Sequence, residues 1–129
     1  KVGFDWPAVD GAFPKIAEET AELDAAIAEL DAAIAEHRSD RDAPPDSTPA
    51  STAASAVART TEELGDLLFA VVNVARHLRI DPELALRAAT DKFRLRFEGV
   101  ERLATERSID LRAADLATLD ALWDEVKGT

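Results

Sequence analysis

The chain has no cysteine, no methionine and no tyrosine, and only 5% of its 129 residues are aromatic. Without cysteine it has neither disulfides nor thiolate chemistry, and the redox compartment is left open. No apolar run approaches the ~20 residues that a membrane-crossing helix needs, and nothing resembles a secretion signal. No membrane partner is therefore expected, and the cytoplasm is the expected location. The lack of any Met, with Lys1 at the start, reads as a fragment or trimmed product of a longer chain. Positive charge is also scarce: fifteen Lys and Arg stand against twenty-six Asp and Glu, a net charge of −11. That balance argues against nucleic acid as a partner. It is compatible with a small phosphate ligand where metal ions neutralise it, and most of the acids are solubilising surface.

What is present favours helices. The apolar fraction is 47%, dominated by Ala and Leu. A chain of 129 residues is one domain's worth, yet short enough that a partner subunit would help to bury a core. We therefore expect a single domain over residues 1–129 that forms a homodimer or higher homo-oligomer. The opening Val2-Gly3-Phe4-Asp5-Trp6-Pro7 reads as a loop pinned by its rings. Asp10 is a candidate N-cap for a helix through about His37, in which Ile16, Leu23, Ile27, Leu30 and Ile34 alternate in steps of three and four, with Thr20 as a weak member. Residues 22–28, Glu-Leu-Asp-Ala-Ala-Ile-Ala, recur unchanged at 29–35. This duplicated heptad lengthens the helix by two turns.

From about residue 38 to 60 the periodicity disappears, and residues 43–56 contain only Ala, Pro, Asp, Ser and Thr. The stretch reads as a flexible low-complexity insert over about 39–58, although the Ala-rich part, 51–58, also suits the next helix. Thr60 or Thr61 is the expected cap of that helix, with a core face of Leu64, Leu68, Val71, Ala75 and Leu78 and an end near Arg79. Asp81-Pro82 supplies the cap and first-turn proline of a third helix, running through Leu86, Ala89, Phe93, Phe97, Val100 and Leu103. A final helix from about Ala113 or Asp115 to Lys127 carries Leu116, Leu119, Leu122, Trp123 and Val126. Four amphipathic helices without a convincing strand predict an all-α protein, a four-helix bundle or a dimeric relative of one.

The stretch richest in chemistry is residues 15–22, Lys-Ile-Ala-Glu-Glu-Thr-Ala-Glu. With Lys15 at zero, Glu18, Glu19 and Glu22 fall near about 300°, 40° and 340°, beside an apolar stripe between about 60° and 120°. Counted from Glu63, Asp66, Asn73 and His77 fall near about 300°, 280° and 320°, beside a stripe between about 60° and 140°. Two acidic edges facing one groove would crowd four or five carboxylates together, a repulsion that a cation would absorb. Glu19 with Glu22, and Glu63 with Asp66, are i, i+3 pairs able to close on one ion from two sides. Magnesium suits an all-oxygen set that leaves room for a phosphate oxygen. Di-iron bundles use Glu-x-x-His pairs, and neither His37 nor His77 has a Glu three residues before it, which sets that chemistry aside. Glu29, Asp31 and Glu36 are read as plain exposed acids, Glu29 being a heptad copy of Glu22 without its chemistry.

The ordered series of residues 15–22, Glu62-Glu63-Leu64-Gly65-Asp66-Leu67-Leu68-Phe69, Val72-Asn73-Val74-Ala75-Arg76-His77-Leu78, Lys92-Phe93-x-x-Arg96-Phe97 and Leu122-Trp123-x-x-Val126-Lys127 resembles the MazG family of nucleoside triphosphate pyrophosphohydrolases, within the all-α NTP pyrophosphatase superfamily. The likeness covers nearly the whole chain except residues 38–60. The opening Gly-Phe-Asp-Trp-Pro is similar to the join before the C-terminal domain of longer members, which implies a C-terminal-type MazG domain. The resemblance implies a four-helix bundle enzyme, dependent on Mg2+ with Mn2+ as a substitute. Such an enzyme cleaves an NTP or dNTP between its α and β phosphates by attack of metal-activated water, and nucleotide-pool sanitation is an implied role. By motif, Glu19, Glu22, Glu63 and Asp66 are the implied metal ligands, while Glu18 either holds a second ion or orients the water.

Lys15, Lys92 and Arg96 are candidate partners of phosphate oxygens or else surface ion pairs, the two readings being even for Lys15. Asn73 bonds either to sugar or base or across to another helix. Trp123 either stacks on a base or is core, Trp6 and Phe4 are weaker base-site candidates, and His77 is read as structural. Two alternatives to the general pyrophosphohydrolase are a non-catalytic helical dimerisation or regulatory module that keeps the fold, and a relative restricted to dUTP or a phosphoribosyl nucleotide. The long interval between Glu22 and Glu63 departs from the family pattern. Either the insert climbs back along the bundle, or the second helix starts near Ser51 and restores the register, the second being preferred; failing both, the site is assembled across subunits.

Overall fold

The computed structural model describes residues 7–39 and 49–128. After a 3-10 turn over Val9–Gly11, α1 spans Phe13–Ser39, α2 Pro49–His77, α3 Pro82–Glu106 and α4 Leu116–Gly128. There is no strand among the described residues, so the protein is all-α as predicted. Among the described residues no helix is long and apolar enough to cross a membrane. The chain divides into two compact units, one ending at Ile80 and the other beginning at Asp81.

In the first unit α1 and α2 form an antiparallel hairpin. Asp10 is not the cap of α1: it lies inside the 3-10 turn, and the helix starts three residues later at Phe13. The larger correction concerns the insert. Residues 49–58 are helical, because α2 begins at Pro49, where a first-turn proline gives up no intrahelical hydrogen bond. Residues 40–48, the rest of the predicted insert, lie outside the described residues, as does the opening loop with Phe4 and Trp6. Thr60 and Thr61 are therefore mid-helix and not caps. Their hydroxyls donate back to the carbonyls of Ala56 (2.9 Å) and Val57 (2.8 Å), and the Thr60 hydroxyl also lies 3.3 Å from the Ala26 carbonyl of α1.

The seam between these helices is built from small residues. Ala12, Ala26 and Ala33 of α1 and Ala70 and Val74 of α2 are buried, with Ala53, Ala56, Thr60 and Leu67 half-buried beside them. On each helix this face is turned by about 40–60° from the predicted stripe, toward the acidic edge. The predicted α2 core residues Leu64, Leu68, Val71 and Leu78 are 46%, 57%, 45% and 49% exposed, and Ile27 and Ile34 of α1 are exposed too. Alanine faces let two backbones approach closely, and a seam so formed leaves the bulky stripes for other neighbours.

The second unit is a hairpin of α3 and α4 around Val100, Ala104 and Leu122, with Leu103, Ile109, Leu111, Trp123 and Val126 packed against them. Asp81 caps α3 as predicted, its carboxylate accepting from the N–H groups of Glu83 (2.9 Å) and Leu84 (3.1 Å). Asp115 caps α4 through Thr118 N–H at 2.9 Å, and hydrogen bonding from the Thr118 side chain first, then from its backbone N–H, holds the Asp115 carboxyl below the ordinary carboxylate value. Gly99 is required by packing, since a Cβ there would lie 2.8 Å from Val126 Cγ1. Only the C-terminal part of the predicted α3 stripe is core; Leu86 and Phe93 are 69% and 58% exposed.

Candidate active site

The α1–α2 seam carries its acids inward. Glu19, on the same face as Ala12 and Ala26, is 4% exposed, the one charged residue among the buried described side chains. Two groups of carboxylates meet at it: Glu18, Glu19 and Glu22 from α1, and Glu19 with Glu63 and Asp66 from α2, each group with ligand atoms within 4.8 Å of one another. The acids do not simply flank the core, as the helical wheel suggests; Glu19 and half-buried Glu63 are part of the interhelical seam.

Such crowding needs positive charge. Lys15 Nζ lies 2.8 Å from Glu18 Oε1 and 2.6 Å from Glu19 Oε1, and those two carboxylates hold the ammonium above its ordinary pKa. Glu19 Oε2 is buried with no hydrogen-bond partner, an expensive state for a carboxylate oxygen. Glu22 is pushed above the ordinary value of 4.5 by desolvation, then by the neighbouring charges of Glu19 and Glu63, although its side chain stays exposed. Carboxylates with one oxygen left over suit a hard divalent cation and not a soft one.

Beside this cluster is a cleft of about 300 Å³ lined by Ala12, Lys15, Glu19, Asp66, Phe69, Ala70 and Asn73. Asn73 Oδ1 accepts from Arg76 Nε (3.0 Å) and Nη2 (2.7 Å). Arginine only donates, so this contact fixes the amide with its NH2 group directed elsewhere. Phe69 is 75% exposed at the cleft.

The structure thus brings together Glu18, Glu19, Glu22, Glu63 and Asp66, with Lys15 and Asn73 at the same cleft. Lys15 takes the ion-pair alternative in this state. Lys92, Arg96 and Trp123 belong to the second unit, where Arg96 lies over the Trp123 ring at 6.0 Å from its centroid and Phe93 packs on that ring at 5.3 Å. Trp6 lies outside the described residues. The interval between Glu22 and Glu63 is resolved by the upstream start of α2. Glu63 follows Pro49 by about 14 residues and Glu22 precedes Ser39 by about 17, roughly 21 and 25 Å of helix, so the two acids meet across the hairpin. Residues that sequence reasoning missed are Phe69 and Arg76, and Arg59, whose Nε lies 3.8 Å from Glu63 Oε1. Phe69 falls near about 240° on the wheel that places Asp66 and Asn73 on one edge, a signal available in the sequence. Arg59 could be found only with α2 extended upstream.

The sequence model of the MazG nucleotide pyrophosphohydrolase domain matches residues 10–100. The chain belongs to this family. The match takes in all five carboxylates together with Lys15, Asn73, Lys92 and Arg96. The MazG domain is 35% identical over 126 residues to the nucleoside triphosphate pyrophosphohydrolase of Escherichia coli (strain K12), covering 98% of this chain and 39% of that protein. It is likewise 35% identical over 128 residues to the nucleoside triphosphate pyrophosphohydrolase/pyrophosphatase MazG of Thermotoga maritima, covering 99% and 39%. The uncharacterized protein YabN of Bacillus subtilis (strain 168) is 49% identical over 67 residues, 52% of this chain and 14% of that protein. The chain therefore spans about two fifths of the length of the first two relatives.

Proposed function

We propose that this MazG domain hydrolyses nucleoside triphosphates to monophosphate and pyrophosphate, using a divalent cation, Mg2+ with Mn2+ as a substitute, held by Glu19, Glu22, Glu63 and Asp66. The observation that carries the reading is the unpartnered buried Oε2 of Glu19, at the one residue common to both carboxylate groups. A bound divalent cation supplies positive charge to the triphosphate and lowers the pKa of coordinated water. The chain's own residues do the rest. Glu18, on the exposed side of Glu19, orients the attacking water or takes part in holding a second ion. Lys15, released from Glu19 in the loaded site, is within reach of triphosphate oxygens. Asn73, its carbonyl held by Arg76, offers its NH2 group to sugar or base, and the exposed ring of Phe69 offers a stacking face.

The complete acid set favours an enzyme over a non-catalytic helical module. The reading takes residues 1–129 as one catalytic domain, working in the cytoplasm on the nucleotide pool. It also takes a second copy of the chain to cover the exposed stripe of α2, because contiguous apolar surface of this kind marks an interface.

The test is product analysis on a panel of standard and damaged nucleoside triphosphates, with and without Mg2+. The expected result is pyrophosphate and monophosphate only with the cation, and a loss of about 10³-fold in Glu63→Ala, the scale of a lost metal contribution of several kcal/mol. No turnover, release of diphosphate and inorganic phosphate, or turnover indifferent to Glu63→Ala would contradict it.

A further inference from the structure

The duplicated heptad gives α1 a second glutamate, Glu29, seven residues beyond Glu22 and so two turns further along the same face. On α2, Arg59 stands four residues before Glu63, one turn upstream on the same face. The antiparallel hairpin brings the two together. Arg59 Nη1 donates to both Glu29 oxygens, at 2.7 and 2.6 Å, while its Nε is 3.8 Å from Glu63 Oε1. One guanidinium therefore stands between two carboxylates, closely bonded to the outer and only loosely to the inner. The outer pair is about half exposed, 48% and 54%, whereas the Glu63 side chain is 16% exposed.

We propose that Glu29 is a positioning residue for the cation site: it holds Arg59 off Glu63 and so keeps the Glu63 carboxylate for the divalent ion. Charge-assisted bonds at these lengths are the strong ones. Without Glu29, the nearest carboxylate to the guanidinium is Glu63, in a less exposed place where ionic attraction is less screened. Arg59 then closes on Glu63 and competes with the cation for it. The repeat thereby has a use that its sequence alone does not suggest, since Glu29 reads there as an idle copy of Glu22. The inference rests on the assignment of Glu63 as a cation ligand under the proposed function.

Calorimetric titration of Mn2+ alone into the full chain tests it, with wild type compared to Glu29→Gln, Glu29→Gln/Arg59→Gln and Glu63→Gln, and far-UV helicity followed in each. The expected result is a dissociation constant raised about three- to fivefold in Glu29→Gln, the upper range for a partly exposed pair. In the double variant it returns to the wild-type value or below, because the competing guanidinium is gone; a merely structural role for the pair would leave both variants equally weak. If Glu63→Gln weakens binding but Glu29→Gln does not, or the double variant stays as weak as the single, the proposal is wrong and the cation site stands. If wild type fails to bind Mn2+, or Glu63→Gln binds like wild type, the assignment of Glu63 falls and this inference falls with it.

Discussion

Glu19→Met is expected to stabilise the cation-free domain and abolish its activity. The carboxylate is 4% exposed with Oε2 unpartnered. A buried polar atom without a partner costs about 1–3 kcal/mol, and methionine fills a similar volume with no polar atom to satisfy. Lys15 keeps a partner in the substituted chain, because Glu18 Oε1 is 2.8 Å from its Nζ. A gain of about 1–2 kcal/mol, or roughly 5 °C in Tm, is the expected outcome by thermal unfolding in chelator. Pyrophosphate release falls by about 10³-fold or more, since both carboxylate groups lose their common member. In wild type, Mg2+ at a hundredfold excess over its dissociation constant adds about 2.7 kcal/mol; in Glu19→Met most of that increment disappears. A variant less stable than wild type in chelator would mean that Glu19 is held by the fold and not strained by it.

A charge on the outer stripe of α2 is expected to separate the subunits. Leu64, Leu68 and Val71 are 46%, 57% and 45% exposed, and Gly65 between them has nothing within 4 Å of where a Cβ would lie. That row is apolar and open to close approach by another helix. Leu68→Asp would bury an unpaired carboxylate in such an interface, a penalty of several kcal/mol. Light scattering should show wild type at a multiple of the 13.9 kDa chain mass and Leu68→Asp near one chain mass at micromolar concentration, with affinity lowered at least about 10²-fold. A wild type already at one chain mass would remove the second copy from the proposed function.

The sequence made the helix count and the local ends legible where side-chain chemistry marks them. Asp81-Pro82 caps α3, and Asp115 caps α4. Asp10 has the right residue type for a cap but is drawn into the 3-10 turn, and Thr60 and Thr61 fail for another reason. Alanine, serine and threonine over 49–58 carry no contrast between large and small residues, so the periodicity of α2 is invisible there even though the helix continues.

The same blindness explains the seam. Wheels weighted by large apolar residues select Leu64, Leu68, Val71 and Leu78, whereas the two helices meet through Ala26, Ala33, Ala56 and Ala70. The burial that each alanine provides is small, but the close approach it allows is what draws Glu19 and Glu63 together. The carboxylate pattern points to residues 18–22 and 63–66 as facing acidic edges, and the structure brings those carboxylates together. Phe69 shares that edge, but a pattern read for carboxylates and amides gives an aromatic ring there no role. Arg59 and the partner that Glu29 finds in it depend on the extended register of the hairpin, which no single-helix reading contains.

The central claim is that a divalent cation sits against the orphaned oxygen of Glu19. Anomalous diffraction from crystals soaked in Mn2+ locates the ion directly. The expected result is a peak about 2 Å from Glu19 Oε2 and in reach of Glu63 and Asp66. A well-occupied peak elsewhere, or none at Glu19 at a concentration that supports turnover, would contradict it.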